Sequence, residues 1–210
     1  MNEPVNPITL EVVRNAIYAI TEEMRVILMR SARAPILKEA GDLSCVITDA
    51  RGRVIAQGSK DIAIHLGVMA FTVKAFLERI DPASLRPGDV YFTNAPDVGG
   101  NHLPDVKAIR PVFFNEQLVA FSVNLAHWPD IGGAIAGSYY TKATEIYQEG
   151  LQIPPLPVFR EGRVDPLLLE MIMINVRNRE EREGDLFAQY ACDEVADRRL
   201  QEVFGQHGRD

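Results

Sequence analysis

Two short segments carry the residues best suited to chemistry. One runs Asn94-Ala95-Pro96-Asp97-Val98-Gly99-Gly100-Asn101-His102-Leu103-Pro104-Asp105, the other Asn124-Leu125-Ala126-His127-Trp128-Pro129-Asp130-Ile131-Gly132-Gly133. In each, a His is followed three residues later by an Asp with a proline directly before it. Two of the four histidines and the single Trp of the chain lie here. Imidazole nitrogens and carboxylate oxygens are ligands for Zn²⁺, Mn²⁺ or Fe²⁺. One His-x-x-Asp means little, but two, both in Gly/Pro loops at predicted strand ends, point to a divalent-metal site. The candidate ligands are His102, Asp105, His127, Asp130 and Asp42. Five exceed a tetrahedral set, so at least one would orient a ligand rather than bind. A metal held there would polarise a carbonyl and acidify a bound water. His65 and Glu149 are candidates for general acid–base work. Each has a plainer reading: a loop-end Asp is usually a turn or cap residue, and a His at an apolar junction is usually structural.

The elements that would position these residues follow from periodicity. Leu10, Val13, Ile17, Ile20, Met24, Ile27 and Leu28 form one helical stripe, with Thr9 as cap, Glu11 in the first turn and Pro35 near the end. Ser44–Thr48 and Val54–Ala56 read as a hairpin across Asp49-Ala50-Arg51-Gly52-Arg53. His65-Leu66-Gly67 precedes a helix over 68–80. A strand over 89–93 delivers the first His-x-x-Asp loop. Two strands over 107–114 and 118–125, joined at Asn115-Glu116-Gln117, would carry His127 back beside His102. Helices are predicted over 166–177, where Asp165-Pro166 is a start signal, and over 185–204, with Asp185 as cap and Gly205 as stop. The fold class is α/β in the broad α+β sense, with a mixed or antiparallel sheet, because hairpins exclude a purely parallel one. Ile153, Pro154, Pro155, Leu156 and Pro157 read as an irregular apolar segment that a partner would cover.

Totals narrow the function classes. The chain has 210 residues and a net charge of −7, and no basic run, which disfavours nucleic acid. Its two cysteines, Cys45 and Cys192, lack CxxC spacing; this disfavours a disulfide scaffold or thiolate zinc site and fits a reducing cytoplasm. Met1-Asn2-Glu3-Pro4 lacks the basic start and apolar run of a signal peptide. No apolar stretch reaches the roughly 18 residues of a membrane helix. Gly99-Gly100 lacks the companions of a phosphate loop, and there is no Gly-x-Ser-x-Gly elbow.

The motifs together resemble the hydantoinase B/oxoprolinase family, the B-type subunits of ATP-dependent hydantoinases, 5-oxoprolinases and ketone carboxylases. The resemblance rests on Asn6-Pro7-Ile8-Thr9-Leu10-Glu11, Asp42-Leu43-Ser44-Cys45, His65-Leu66-Gly67 and Arg86-Pro87-Gly88-Asp89. It continues through both His-x-x-Asp segments to Glu145–Pro155. It implies that residues 1–210 form a single domain like the N-terminal metal-binding part of such a subunit. It implies a divalent ion, zinc or manganese, on Asp42, His102, Asp105 and His127, with Asp130 outside the first shell. It also implies an A-type partner subunit that binds ATP and phosphorylates the substrate, and hydrolysis of a cyclic amide. Carboxylation of a ketone and a non-catalytic assembly module are the competing readings. Two departures stand out. Ala95 occupies the place of a family Asp, which Asp97 would replace, and the family's subunits are much longer, so the chain is either a split subunit whose C-terminal part a separate chain supplies, or a fragment of a longer one.

Overall fold

The computed structural model describes residues 6–208, except for the side chain of Leu66; Met1–Pro4 lie outside the described residues. Helix α1 (Pro7–Ser31) is started by Asn6, whose Oδ1 accepts the Ile8 N–H at 2.9 Å, with proline at the first helical position. This pairing outranks Thr9, so Thr9 and Glu11 lie inside the helix rather than at its cap and first turn. The predicted stripe is buried from Ile17 through Ile20, Met24 and Leu28, whereas Leu10 faces solvent.

Seven strands follow: β1 (Leu43–Asp49), β2 (Val54–Gln57), β3 (Val90–Thr93), β4 (Asp105–Phe114), β5 (Gln117–His127), β6 (Leu156–Arg160) and β7 (Arg163–Val164). They form one sheet in the order β2-β1-β5-β4-β3-β6-β7, with every neighbouring pair antiparallel. Both predicted hairpins are present. Strand β6 corrects the irregular reading at 156–157, where Leu156 and Pro157 pair with Phe92 and Tyr91, whereas 153–155 are irregular as read and Ile153 is fully buried within the chain. The prolines masked this segment because Pro157 removes a donor from the ladder without preventing extended backbone.

Alternation along the strands divides the core. Cys45, Ile47, Val106, Ala108 and Ala126 pack with α1 and with α4 (Arg179–His207). Val46, Ile109, Val123 and Leu125 pack with Met69, Val73 and Phe76 of α2 (Ala63–Leu77). Helix α2 begins five residues before the predicted 68–80 span, so His65 sits in its first turn. Helix α3 (Pro166–Met173), capped by Asp165, stops short of 177. Helix α4 starts at Arg179, before 185, and Gly205 lies within it. Asp185 is therefore not its cap. It is buried, and its Oδ1 accepts the N–H groups of Arg33 (2.6 Å) and Ala34 (3.1 Å) just beyond α1.

The β4–β5 turn is Asn115-Glu116, both in the left-handed region (φ 50° and 63°), the form that matches strand twist. Glu116 holds it at a cost of roughly 1–2 kcal/mol. Glu116→Gly is expected to raise the unfolding free energy by about 0.5–1 kcal/mol, after the added chain entropy is subtracted. Urea denaturation measures this, and a loss of stability would contradict it.

Candidate metal centre

Register brings the site together. Strand β4 begins at Asp105 and β5 ends at His127, and the ladder sets these two residues opposite each other. On the other side of β5, Leu43 pairs with Ala126, and the His127 N–H donates to the Asp42 carbonyl at 3.1 Å. Asp42, His127 and Asp105 therefore form a row across β1, β5 and β4, on the α2 side of the sheet. The loop before β4 returns His102 to this row. Its carbonyl accepts the Asp105 N–H (3.1 Å), and the Pro104 carbonyl accepts those of Val106 (3.0 Å) and Trp128 (2.8 Å). Buried Asn94 clamps the loop from beneath. It donates to the carbonyls of Leu103 (2.7 Å) and Leu151 (2.8 Å) and accepts the Ile153 N–H (2.7 Å).

Three donor atoms converge. His102 Nε2 lies 2.9 Å from Asp105 Oδ1 and 3.2 Å from His127 Nδ1, which lies 3.3 Å from the same Asp105 oxygen. Ligands about 2.0–2.2 Å from one ion stand roughly 3.0–3.5 Å apart, so this triangle fits the face of a coordination polyhedron. Nitrogen and carboxylate donors without thiolate suit zinc or manganese. These three form the one His/Cys/Asp/Glu group of metal-binding compactness among the described residues. Asp42 stands beside it, its Oδ2 3.9 Å from His127 Nδ1.

The surroundings set the charge. Asp105 is fully buried. Burial alone would raise its pKa, but hydrogen bonds from His102 and His127 outweigh this and hold it well below the usual carboxylate range. The bond to Asp105 raises His102, against the opposing effect of burial. Burial lowers His65, despite the charges of Asp105 and Asp42. Asn101 donates to Asp105 Oδ2 at 3.1 Å. Lys107, one ladder step behind Asp105, is fully buried, lacks a hydrogen-bond partner for Nζ among the described residues, and is pushed down to about 8 by burial. Sequence reading missed Asn101, Lys107 and Ser44. The strand alternation that puts Asp105 on this face also puts Lys107 and Ser44 there, and was the available signal.

Other candidates lie elsewhere. Asp130 accepts N–H groups from Gly132 and Gly137, each at 2.8 Å, and pairs with Arg177 at 3.3 Å; its partners are loop and guanidinium groups, not imidazoles. Glu149 lines a cavity of about 230 Å³ together with His102, Ser138, Tyr139 and Tyr140. Asp97 does not take the place left by Ala95, because it forms a surface ion pair with Arg79, while Ala95 is packed in the α2-side core. No described helix is long and apolar enough to cross a membrane.

The family model for hydantoinase B/oxoprolinase matches residues 6–210. The chain is 36% identical over 206 residues to the caprolactamase subunit beta of Pseudomonas jessenii, covering 98% of this chain and 35% of that one. It is 30% identical over 206 residues to a 5-oxoprolinase of Dictyostelium discoideum, covering 98% of this chain and 16% of that protein. The crystal structure of the ATP-dependent caprolactamase from Pseudomonas jessenii superposes with a TM-score of 0.92 at 35% identity, over 98% of this chain and 35% of that one. A nucleotide-free acetone carboxylase structure shares the fold, with a TM-score of 0.91 at 22% identity over 97% of this chain and 27% of its own. The chain thus spans about a third of the length of the first curated relatives it matches.

Proposed function

The chain belongs to the hydantoinase B/oxoprolinase family, and from that premise we propose that it forms the metal-holding part of an ATP-dependent enzyme that hydrolyses a cyclic amide. The observation that carries this reading is the meeting of His102, Asp105 and His127 beside Asp42, next to a cavity that His102 shares with Glu149.

In this reading His102 and His127 supply nitrogen donors to a zinc or manganese ion, and Asp105 and Asp42 supply oxygen. Such an ion would supply Lewis acidity toward a carbonyl or a water at this site. Asn101 fixes the second oxygen of Asp105. Glu149, on the cavity wall with His102, is the group placed to take and return a proton at the amide. Asp130 and Arg177 are positioning residues that pin the Gly132–Gly137 loop and so place Tyr139 and Tyr140 at the cavity. A relative described as the beta subunit of an ATP-dependent caprolactamase supports an A-type partner that binds ATP and phosphorylates the substrate. The relatives' greater length supports further polypeptide, in the same or a separate chain, completing the cleft. Two free, buried cysteines support a reducing cytoplasm as its compartment.

Reconstituted with the A-type partner and the remaining polypeptide, the protein is expected to open a lactam or hydantoin ring only with ATP. Glu149→Gln is expected to lower kcat by about 10²–10⁴ with metal content unchanged. ATP- and bicarbonate-dependent loss of a ketone, without ring opening, would replace the hydrolase reading. Full activity of Glu149→Gln would remove Glu149 from the chemistry.

A further inference from the structure

His65 is 3% exposed and does not line the cavity with His102 and Glu149, which is a poor location for a general base. Its two nitrogens have distinct surroundings. Nδ1 faces Ser44 Oγ at 3.0 Å. Nε2 faces two carboxylates, Asp42 Oδ1 and Asp105 Oδ2, each at 3.6 Å. Each of these acids turns its other oxygen toward the imidazole pair: Asp105 Oδ1 to His102 and His127, and Asp42 Oδ2 to His127.

Ser44 at Nδ1 and the two carboxylates at Nε2 together set which nitrogen carries the hydrogen. Its Oγ accepts the Ile62 N–H at 3.3 Å, which leaves its own hydrogen free for Nδ1. An Nδ1 that accepts leaves the hydrogen on Nε2, pointing between the two carboxylates. The opposite tautomer would aim an Nε2 lone pair at two carboxylate oxygens and leave the Ser44 hydrogen without this acceptor. Ser44 is itself fully buried, so the Ser–His pair has no access to a substrate as a nucleophile.

We propose that His65 is a positioning residue whose Nε2–H, set by Ser44 and the two acids together, points between Asp42 and Asp105 at 3.6 Å from each and favours, by attraction rather than by hydrogen bonds, the orientation in which both carboxylates present their other oxygens to the metal. This rests on the metal reading above. It explains how Asp42, which lies outside the compact three-residue group, is kept at the edge of the centre. Partners of this kind orient the ligands rather than bind the ion.

The test is zinc affinity of the 210-residue chain, measured by competition with a chromogenic chelator, with folding checked by circular dichroism. His65→Leu keeps an apolar body and removes the donor; it is expected to weaken zinc roughly 10–100-fold. His65→Gln keeps an N–H near the Nε2 position and is expected to stay within about threefold of wild type, with Ser44→Ala falling between the two. Unchanged affinity in His65→Leu would overturn the proposal. So would an equal loss in His65→Gln, the outcome expected if His65 bound the ion through nitrogen. If His65→Leu does not fold, His65→Gln against Ser44→Ala decides: retention in the first and loss in the second is expected, and the reverse overturns it. His102→Ala separates the two levels. Wild-type affinity there defeats the metal reading and this inference with it, whereas loss there with retention in His65→Leu defeats the positioning role alone.

Discussion

Replacing Asp105 by alanine is expected to leave the protein almost without metal. The carboxylate is fully buried, bonded to His102 and His127 and held by Asn101. Its loss removes an oxygen donor and the negative charge that the imidazoles share. Zinc affinity should fall by more than the roughly 10–100-fold that loss of a ligand's hydrogen-bond partner costs, because a ligand itself is removed. Metal analysis of purified protein, supported by chelator competition, measures it; wild-type metal content would disprove the assignment.

The same variant has a pH signature in the metal-free protein. The folded-state pKa of Asp105 is depressed, so its contribution to stability is complete above the unfolded value of about 3.9 and is lost as pH falls through the folded value. That of His102 is raised, so its contribution is complete below about 6.5 and is lost as pH rises through the folded value. The pair therefore stabilises the metal-free fold most between roughly pH 4 and 6.5. Asp105→Ala should flatten both limbs in urea denaturation. Where the raised pKa of His102 keeps its imidazole protonated, metal uptake by wild type must displace that proton, so uptake should weaken on acidification.

The second large effect is expected at Gln189, on the buried face of α4. Its Nε2 donates to the Val106 carbonyl and to Asn124 Oδ1, each at 2.9 Å, and its Oε1 accepts the Trp128 indole N–H at 3.0 Å. These contacts fasten α4 to β4 and to the end of β5, beside Asp105 and His127. Gln189→Leu keeps the volume but leaves an indole donor and an amide oxygen buried without these partners. The expected loss is about 3 kcal/mol, a fall in Tm of roughly 6–12 °C for a chain of this size. Thermal unfolding by circular dichroism measures it. A fall of under about 2 °C would mean that the network contributes little.

Gln189 also shows where sequence reading stops. The central hairpin was legible because β4 and β5 alternate cleanly and are joined by a short turn. The pairing of Asp105 with His127 follows from that hairpin alone, and the loop held by Asn94 adds His102. Helix α4 was legible only in part. Its buried positions Arg182, Asp185, Leu186, Ala188, Gln189, Cys192, Asp193, Ala196 and Leu200 recur at helical spacing, but four of the nine are polar, so an apolar stripe underestimates the element. Burial of these groups depends on partners distant in sequence: Arg33 and Ala34 for Asp185, and Ser122 for Asp193, whose carboxyl burial pushes up to about 8. Strand β6, behind the Pro154-Pro155 pair, was hidden for a different reason, since it sits in the sheet through β3, a partner some sixty residues earlier. Asp42 was legible as a candidate, but only the family resemblance put it among the ligands, since nothing local distinguishes it from a turn residue. Its place in the row comes from β1 pairing with β5.

That row has a consequence for the order of events during folding. Three of the four proposed ligands lie within residues 102–127, on one hairpin and its leading loop. Hairpins close in microseconds, whereas joining β1 to β5 must close a far longer loop. The nascent chain can therefore assemble a partial chelate before the sheet is complete, with Asp42 arriving last. An ion captured at that stage would bias β4 and β5 toward the register that sets Asp105 opposite His127, because a slip of one residue turns one of the two to the far side of the sheet. Metal availability would then act on the yield of correctly paired chains, apart from any part it has in turnover.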